Sequence, residues 1–217
     1  MSRFVTEGEL ETQTKNAKRA AYHHGDLRSQ LLLAVRELIE EKGAENFSIA
    51  EAARKAGVSS AAPYRHFADK DEILKAVVLD AMDDMTHSMR DALNAYPEGS
   101  ADRINALGQC YIDFARAHPG MFRLVFGITE SHEGDEDLAL RGAQTFGIVI
   151  GAVADYLGIA RDNPEAKRRA YILWTVVHGH SWLTIDGKAR QQGIDYPETD
   201  MLAAVSQRLL GGTVDGG

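Results

Sequence analysis

Apolar residues recur at helical spacing along almost the whole chain after residue 24, and no stretch shows the period-two alternation of a half-buried strand. From Asp26, the positions Leu27, Leu31, Ala34, Val35 and Leu38 share one helix face, and Gly43 supplies a stop. A second helix opens at Ser48. Glu51 follows three residues later, so the two side chains satisfy backbone N–H groups of the first turn reciprocally. Ile49, Ala52, Ala53 and Ala56 line its face, Gly57 ends it, and Val58 points inward. Ser59 or Ser60 then caps a third, short helix. With Ser60 as the cap, Pro63 takes the third helical position, whose N–H has no partner inside a helix; with Ser59, one terminal bond is lost.

Asp69, with Glu72 completing another capping box, predicts a long helix from KDEILKAVVLDAM to about Ala95, broken by Tyr96-Pro97-Glu98-Gly99. Further helices are expected at about 100–118, 119–127, 136–158, 164–188 and 197–210. Their separators are His118-Pro119-Gly120, the acidic loop SHEGDED, Asn163-Pro164 and the stretch from Gly193 to Pro197. The pattern predicts an all-α chain with a mobile arm at 1–22, a head at 23–70 and a helical body at 71–217.

Composition narrows this picture in three ways. The 44% hydrophobic and 26% charged content fits a globular protein with ample core. A single cysteine, Cys110, excludes an internal disulfide framework and points to a reducing cytoplasm. The N-terminus lacks a signal peptide's apolar run. The longest such run, FGIVIGAVA at 146–154, falls short of the roughly 20 residues of a membrane span, so no membrane partner is expected. Net charge is −8, yet it is unevenly spread. From Lys18 to Lys70 nine Lys/Arg face seven Asp/Glu, whereas from Asp71 onward 13 face 22. A near-neutral to basic head on an acidic body suits a nucleic-acid reader with a separate second function.

The head carries the sharper chemistry. Two short helices joined by a tight glycine turn, the second exposing Tyr64, Arg65 and His66, have the layout of a helix-turn-helix with its motif at 48–67. Arg65 has the reach for guanine's acceptor edge, while Tyr64 and His66 suit phosphate oxygens. Ser48 adds a helix N-terminus, itself attractive to phosphate, and Lys70 a positive charge just beyond. The alternative is an ordinary helical bundle with a surface arginine.

At this point the stretch SIAEAARKAGVSSAAPYRHFADKDEIL, 48–74, resembles the DNA-binding domain of TetR-family transcriptional repressors. The likeness extends back over YHHGDLRSQLLLAVRELIEEKG. It implies phosphate contacts from Ser48, Tyr64, His66 and Lys70, base contacts from Ser60, Ala61, Ala62 and Arg65, and a core role for Phe67. Pro63 stands where most members carry a larger aliphatic residue. The resemblance further implies a homodimer on a palindromic DNA operator, and an all-α body that dimerises and holds a small-molecule effector. A weaker resemblance, in YILWTVVHGHSWLTIDGKA and HPGMFRLVFG, is to the subfamily with a Trp-His-Gly signature, here Trp174, His178 and Gly179.

In the body, Tyr171, Trp174, His178, Ser181 and Ile185 form one helical stripe. It reads either as core and dimer interface or as the wall of a pocket in which His178 and Ser181 orient a ligand. Met85, Tyr111, Phe114, Phe122 and Phe146 are candidate apolar walls, with Met82, Met89 and Met121 beside them, and such walls favour an apolar or amphipathic effector. Gly179, and Gly147 and Gly151 with Ala143, are expected to admit a close backbone. Three other chemistries were weighed. GHSWL nearly spells a hydrolase elbow with Ser181 as nucleophile, but Leu183 replaces the final glycine. His178 and His180 suggest a metal-responsive regulator, but residues two apart diverge on a helix. His132, Glu133, Asp135, Glu136 and Asp137 read as a solvated loop. The expectation is a regulator, with no catalytic residues, metal or cofactor, and with Lys15, Lys18 and Arg19 of the arm open to phosphate contact.

Overall fold

The computed structural model of the chain describes residues 27–127, 134–194 and 196–211. Expectations for the arm at 1–22, for the helix start at Asp26, and for His132 and Glu133 lie outside these described residues. They divide into two compact units, one ending at Val77 and one beginning at Val78. Among them every regular element is helical.

In the first unit, α1 (27–42) is followed by a 3-10 turn at Ala44–Asn46 and by α2 (Ile49–Lys55). Ser48 caps α2 through the expected reciprocal box: its Oγ accepts from the Glu51 N–H at 3.2 Å, and its own N–H donates to Glu51 Oε2 at 3.3 Å. Lys42 of α1 donates to Glu51 Oε1 at 2.6 Å, and this hydrogen bond holds the Glu51 carboxyl below the usual carboxylate range. Leu31, Val35 and Ile39 of α1 are buried, as are Phe47, Ala52, Ala53, Phe67 and Ile73.

The expected third α-helix is not formed. Residues 59–66 run through successive tight turns in which Ala62 N–H donates to Ser59 O, Arg65 N–H to Ala62 O and His66 N–H to Pro63 O. Only Pro63–Arg65 qualifies as a 3-10 helix, with Pro63 as its first residue. Proline explains the correction. It has no N–H to close an α-turn on Ser59, and its ring would press on that carbonyl, so the chain tightens into three-residue turns instead. Pro63 is also fully buried, a core residue rather than an exposed helix start.

α3 (Lys70–Asn94) begins behind Asp69, whose Oδ1 accepts from Glu72 N–H at 2.9 Å; Glu72 returns to the N–H of Ala68 instead of that of Asp69. In the second unit, α4 (Ala101–Ala117) is central, packing against α5 (Pro119–Phe126), α6 (Glu136–Leu157), α7 (Pro164–Ile185) and α9 (Glu198–Leu210). Ser100, Asp135 and Asn163 cap α4, α6 and α7. The helix expected over 164–188 is divided at Gly187, whose φ of 68° is left-handed, leaving the short α8 (Lys188–Gln191). By length and composition α6 could cross a membrane; here it packs on α4, α7 and α9.

The glycines behave differently from expectation. A Cβ on Gly147 or Gly179 would meet nothing within 4 Å, and one on Gly151 would meet the Arg161 guanidinium rather than a backbone. The tight approach is at Gly108 of α4, where a Cβ would lie 2.6 Å from Leu202 Cδ2 of α9.

Candidate nucleic-acid interface and effector cavity

In the first unit, Ser48, Ser60, Ala61, Tyr64, Arg65 and His66 are exposed, and Ala62 and Lys70 half-buried. Tyr64 exposes 59% of its surface while its neighbour Pro63 is buried, so the buried ring anchors the turn from which the Tyr-Arg-His trio projects. Lys70 is positioned: its Nζ donates to Glu45 O at 3.0 Å and stands 4.5 Å from the Phe47 ring centroid. Ser48 Oγ accepts within its cap, which leaves its O–H to donate outward. The sequence reading missed Arg28, an exposed residue whose guanidinium lies 5.5 Å from the centroid of the Phe67 ring. Only the fold could place it there, because 39 positions separate Arg28 from Phe67.

The second unit contains a cavity of about 940 Å³ walled by α3, α4, α6, α7 and α9 and by the end of α5. Of the expected wall residues, Met85, Tyr111, Phe146 and Trp174 line it; Phe114, Phe122, His178 and Ser181 do not. Phe114 lies against the His118 ring. Phe122 sits fully buried among Tyr111, Phe126, His178 and Trp182. Ser181 is 1% exposed, with Oγ unpartnered, near the C-terminal end of α7. Gly108, Leu202, Val205 and Thr145 line the cavity and were not anticipated. For α9 the signal was present in its amphipathic spacing, but nothing in one sequence says which apolar face meets a void.

Behind the wall a hydrogen-bond chain joins four rings. Trp182 Nε1–H donates to His178 Nε2 at 3.0 Å, and an indole N–H can only donate. His178 Nε2 is therefore the acceptor and the neutral ring carries its proton on Nδ1, which donates to Tyr111 Oη at 2.7 Å. Trp174 Nε1–H also donates to Tyr111 Oη, at 3.3 Å. Burial favours the same protonation states, lowering the His178 pKa and pushing the Tyr111 phenol well up, with the Trp174 hydrogen bond pulling the latter the other way. Both His178 nitrogens are thus engaged, while His180 Nε2 lies 3.1 Å from Glu198 Oε1, in a separate cluster with Arg116 and Gln109. The two histidines form no metal pair. Among the described residues no three His, Cys, Asp or Glu are grouped to hold a metal.

Comparison with known proteins divides the chain in a similar way. Residues 31–77 match the model of bacterial regulatory proteins of the tetR family, and residues 104–207 match the tetracyclin repressor-like C-terminal domain. The transcriptional regulator BetI of Escherichia coli is 38% identical over 76 residues, covering 35% of this chain and 39% of BetI. The nucleoid occlusion factor SlmA of Haemophilus influenzae is 32% identical over 120 residues, 54% of this chain and 52% of SlmA. The chain therefore matches about half or less of these curated relatives' length. Among solved structures, a Rhodococcus protein of unknown function superposes with a TM-score of 0.72 at 26% identity, covering 88% of this chain and 96% of that one. The regulator FadR of Bacillus subtilis, solved in complex with stearoyl-CoA, superposes at 0.66 with 14% identity over 85% and 98% of the two chains, a likeness of fold alone.

Proposed function

For a chain that belongs to the TetR family of transcriptional regulators, we propose a ligand-responsive, DNA-binding role: a homodimeric regulator, acting as a repressor, released from a palindromic operator by a small apolar or amphipathic effector. One observation carries it. The same chain pairs an exposed Tyr64-Arg65-His66 turn on a buried proline with a body that holds an apolar-walled cavity of about 940 Å³. Arg65 reads base edges, Ser48, Tyr64, His66 and Lys70 hold phosphates, and the short Ser60, Ala61 and Ala62 let the turn approach the duplex. α3 couples the two functions, because it starts at Lys70 and carries Met82, Met85 and Met89 into the cavity wall. An effector that binds the DNA-incompetent state better by about 3 kcal/mol lowers operator affinity about 150-fold.

Selection from a random duplex pool by the purified protein tests this, followed by salt titrations on the enriched sequence. The expected result is an inverted repeat on which Arg65→Ala costs about 1–3 kcal/mol and relaxes base discrimination, whereas Lys70→Ala weakens every sequence and flattens the salt slope. A pool with no enriched sequence overturns the reading, and equal behaviour of the two variants overturns the division of roles.

A further inference from the structure

The ring chain behind the cavity leaves one hydrogen-bond donor uncommitted. Tyr111 Oη accepts from His178 Nδ1–H and from Trp174 Nε1–H, so its own O–H must find a third direction. Tyr111 is 3% exposed and lines the cavity, so a ligand that fills the cavity must itself supply the acceptor for that proton. The phenol also keeps the proton, because burial pushes its pKa well above the ordinary value. A buried donor without an acceptor is costly, and a ligand that supplies the acceptor recovers that cost.

Charge narrows the acceptor's identity. Among the described lining residues there is no Lys, Arg or His, and the charged groups present are the carboxylates Asp135 and Glu136. A carboxylate, phosphate or thioester-linked nucleotide placed here would be desolvated without a counter-charge. An ammonium head would bring donors to a phenol already offering one, while Asp135 is occupied in capping α6 and Glu136 is exposed to solvent. Asn105, the wall's other polar group with an uncommitted atom, offers the acceptor Oδ1 and is neutral as well. We propose that the effector is an uncharged, largely apolar molecule bearing a carbonyl or ether oxygen, and that Tyr111 Oη–H is its anchoring donor. This rests on reading the cavity as an effector site.

The test uses the full chain and three probes of matched chain length, methyl decyl ketone, dodecanoate and dodecylammonium, with undecane as the acceptor-free control. Binding is read by fluorescence, since Trp174 is in the wall. The ketone is expected to bind at least about tenfold more tightly than either ion. Tyr111→Phe should weaken ketone binding about three- to tenfold, the loss of one neutral hydrogen bond, while undecane binds both proteins alike. Tighter binding by either ion, or an unchanged ketone affinity in Tyr111→Phe, overturns the inference. Loss of undecane binding as well shows a collapsed wall, and Trp182→Phe, which frees His178 to accept from the phenol and so withdraws the donor from the cavity, must then lose the ketone preference or the inference also falls. Failure of all four probes overturns the effector-cavity reading itself, whereas DNA selection stands or falls independently.

Discussion

Residue identity in this chain decides protonation as much as packing. The Trp182 indole fixes which His178 nitrogen is bare, and the surrounding rings of Tyr111, Phe122, Phe126 and Trp174 carry no charge to stabilise an imidazolium. Folding therefore lowers the His178 pKa through burial. A histidine whose folded pKa lies below its unfolded value of about 6.5 holds fewer protons when folded. Its contribution to stability is complete above the unfolded value and is lost as pH falls from there toward the folded pKa. The denaturation midpoint of the wild type should drop between about pH 7 and pH 5, and His178→Gln, weaker overall, should show a flatter profile over that interval. Equal slopes for both proteins would remove His178 as the cause. The residues themselves were legible: Tyr111, Trp174 and His178 all stood out as aromatic or polar groups at helical spacing. Their roles were not, because the deciding contacts join α4 to α7 and include Trp182, one turn on from His178 and outside the stripe of Tyr171, Trp174, His178, Ser181 and Ile185.

At the scale of elements, caps and breakers carried most of the information. Ser48 with Glu51, Asn163-Pro164 and His118-Pro119 are short-range devices, so one sequence suffices to place the ends they create. Residues 60–66 escaped because the segment is too short for periodicity to speak, and because Pro63 suits the first turn of either helix type. Burial of Pro63, a tertiary fact, settled where it sits. The Ser48 cap allows its structural and proposed DNA roles to be separated. Ser48→Ala should lower stability by about 1 kcal/mol, measured by urea denaturation. Ser48→Asp keeps an N-cap acceptor, so stability should stay within a few tenths of a kcal/mol. Yet it sets a negative charge where a phosphate is proposed to lie, and DNA affinity at low salt should fall more than in Ser48→Ala. If the aspartate variant binds DNA as well as wild type, Ser48 serves the cap alone.

For the whole molecule, charge and surface apolarity point beyond a single chain. The excess of carboxylates after Asp71 leaves nucleic acid to the head, and the body must serve another purpose. On α7, Trp174 and Val177 turn to the cavity, while Ile172, Thr175, Gly179 and Leu183 follow one another three or four positions apart and stay exposed. Leu183 alone leaves 53% of its surface uncovered, and Gly179 keeps open space at its missing Cβ. The sequence flagged Gly179 as a point of close approach, but no backbone among the described residues takes it up. The proposed homodimer would place a second copy there, this face of α7 pairing with itself about a two-fold axis. Gly179→Arg fills that space and brings a charge to the centre of the paired face, from a position whose Cβ meets nothing within 4 Å among the described residues. The variant should therefore keep the wild-type helical circular dichroism yet sediment at half the wild-type mass. With only one head per particle, it should lose the steep preference for an inverted repeat over a single half-site. A variant that remains dimeric with its operator preference intact would place the interface on another face of the body.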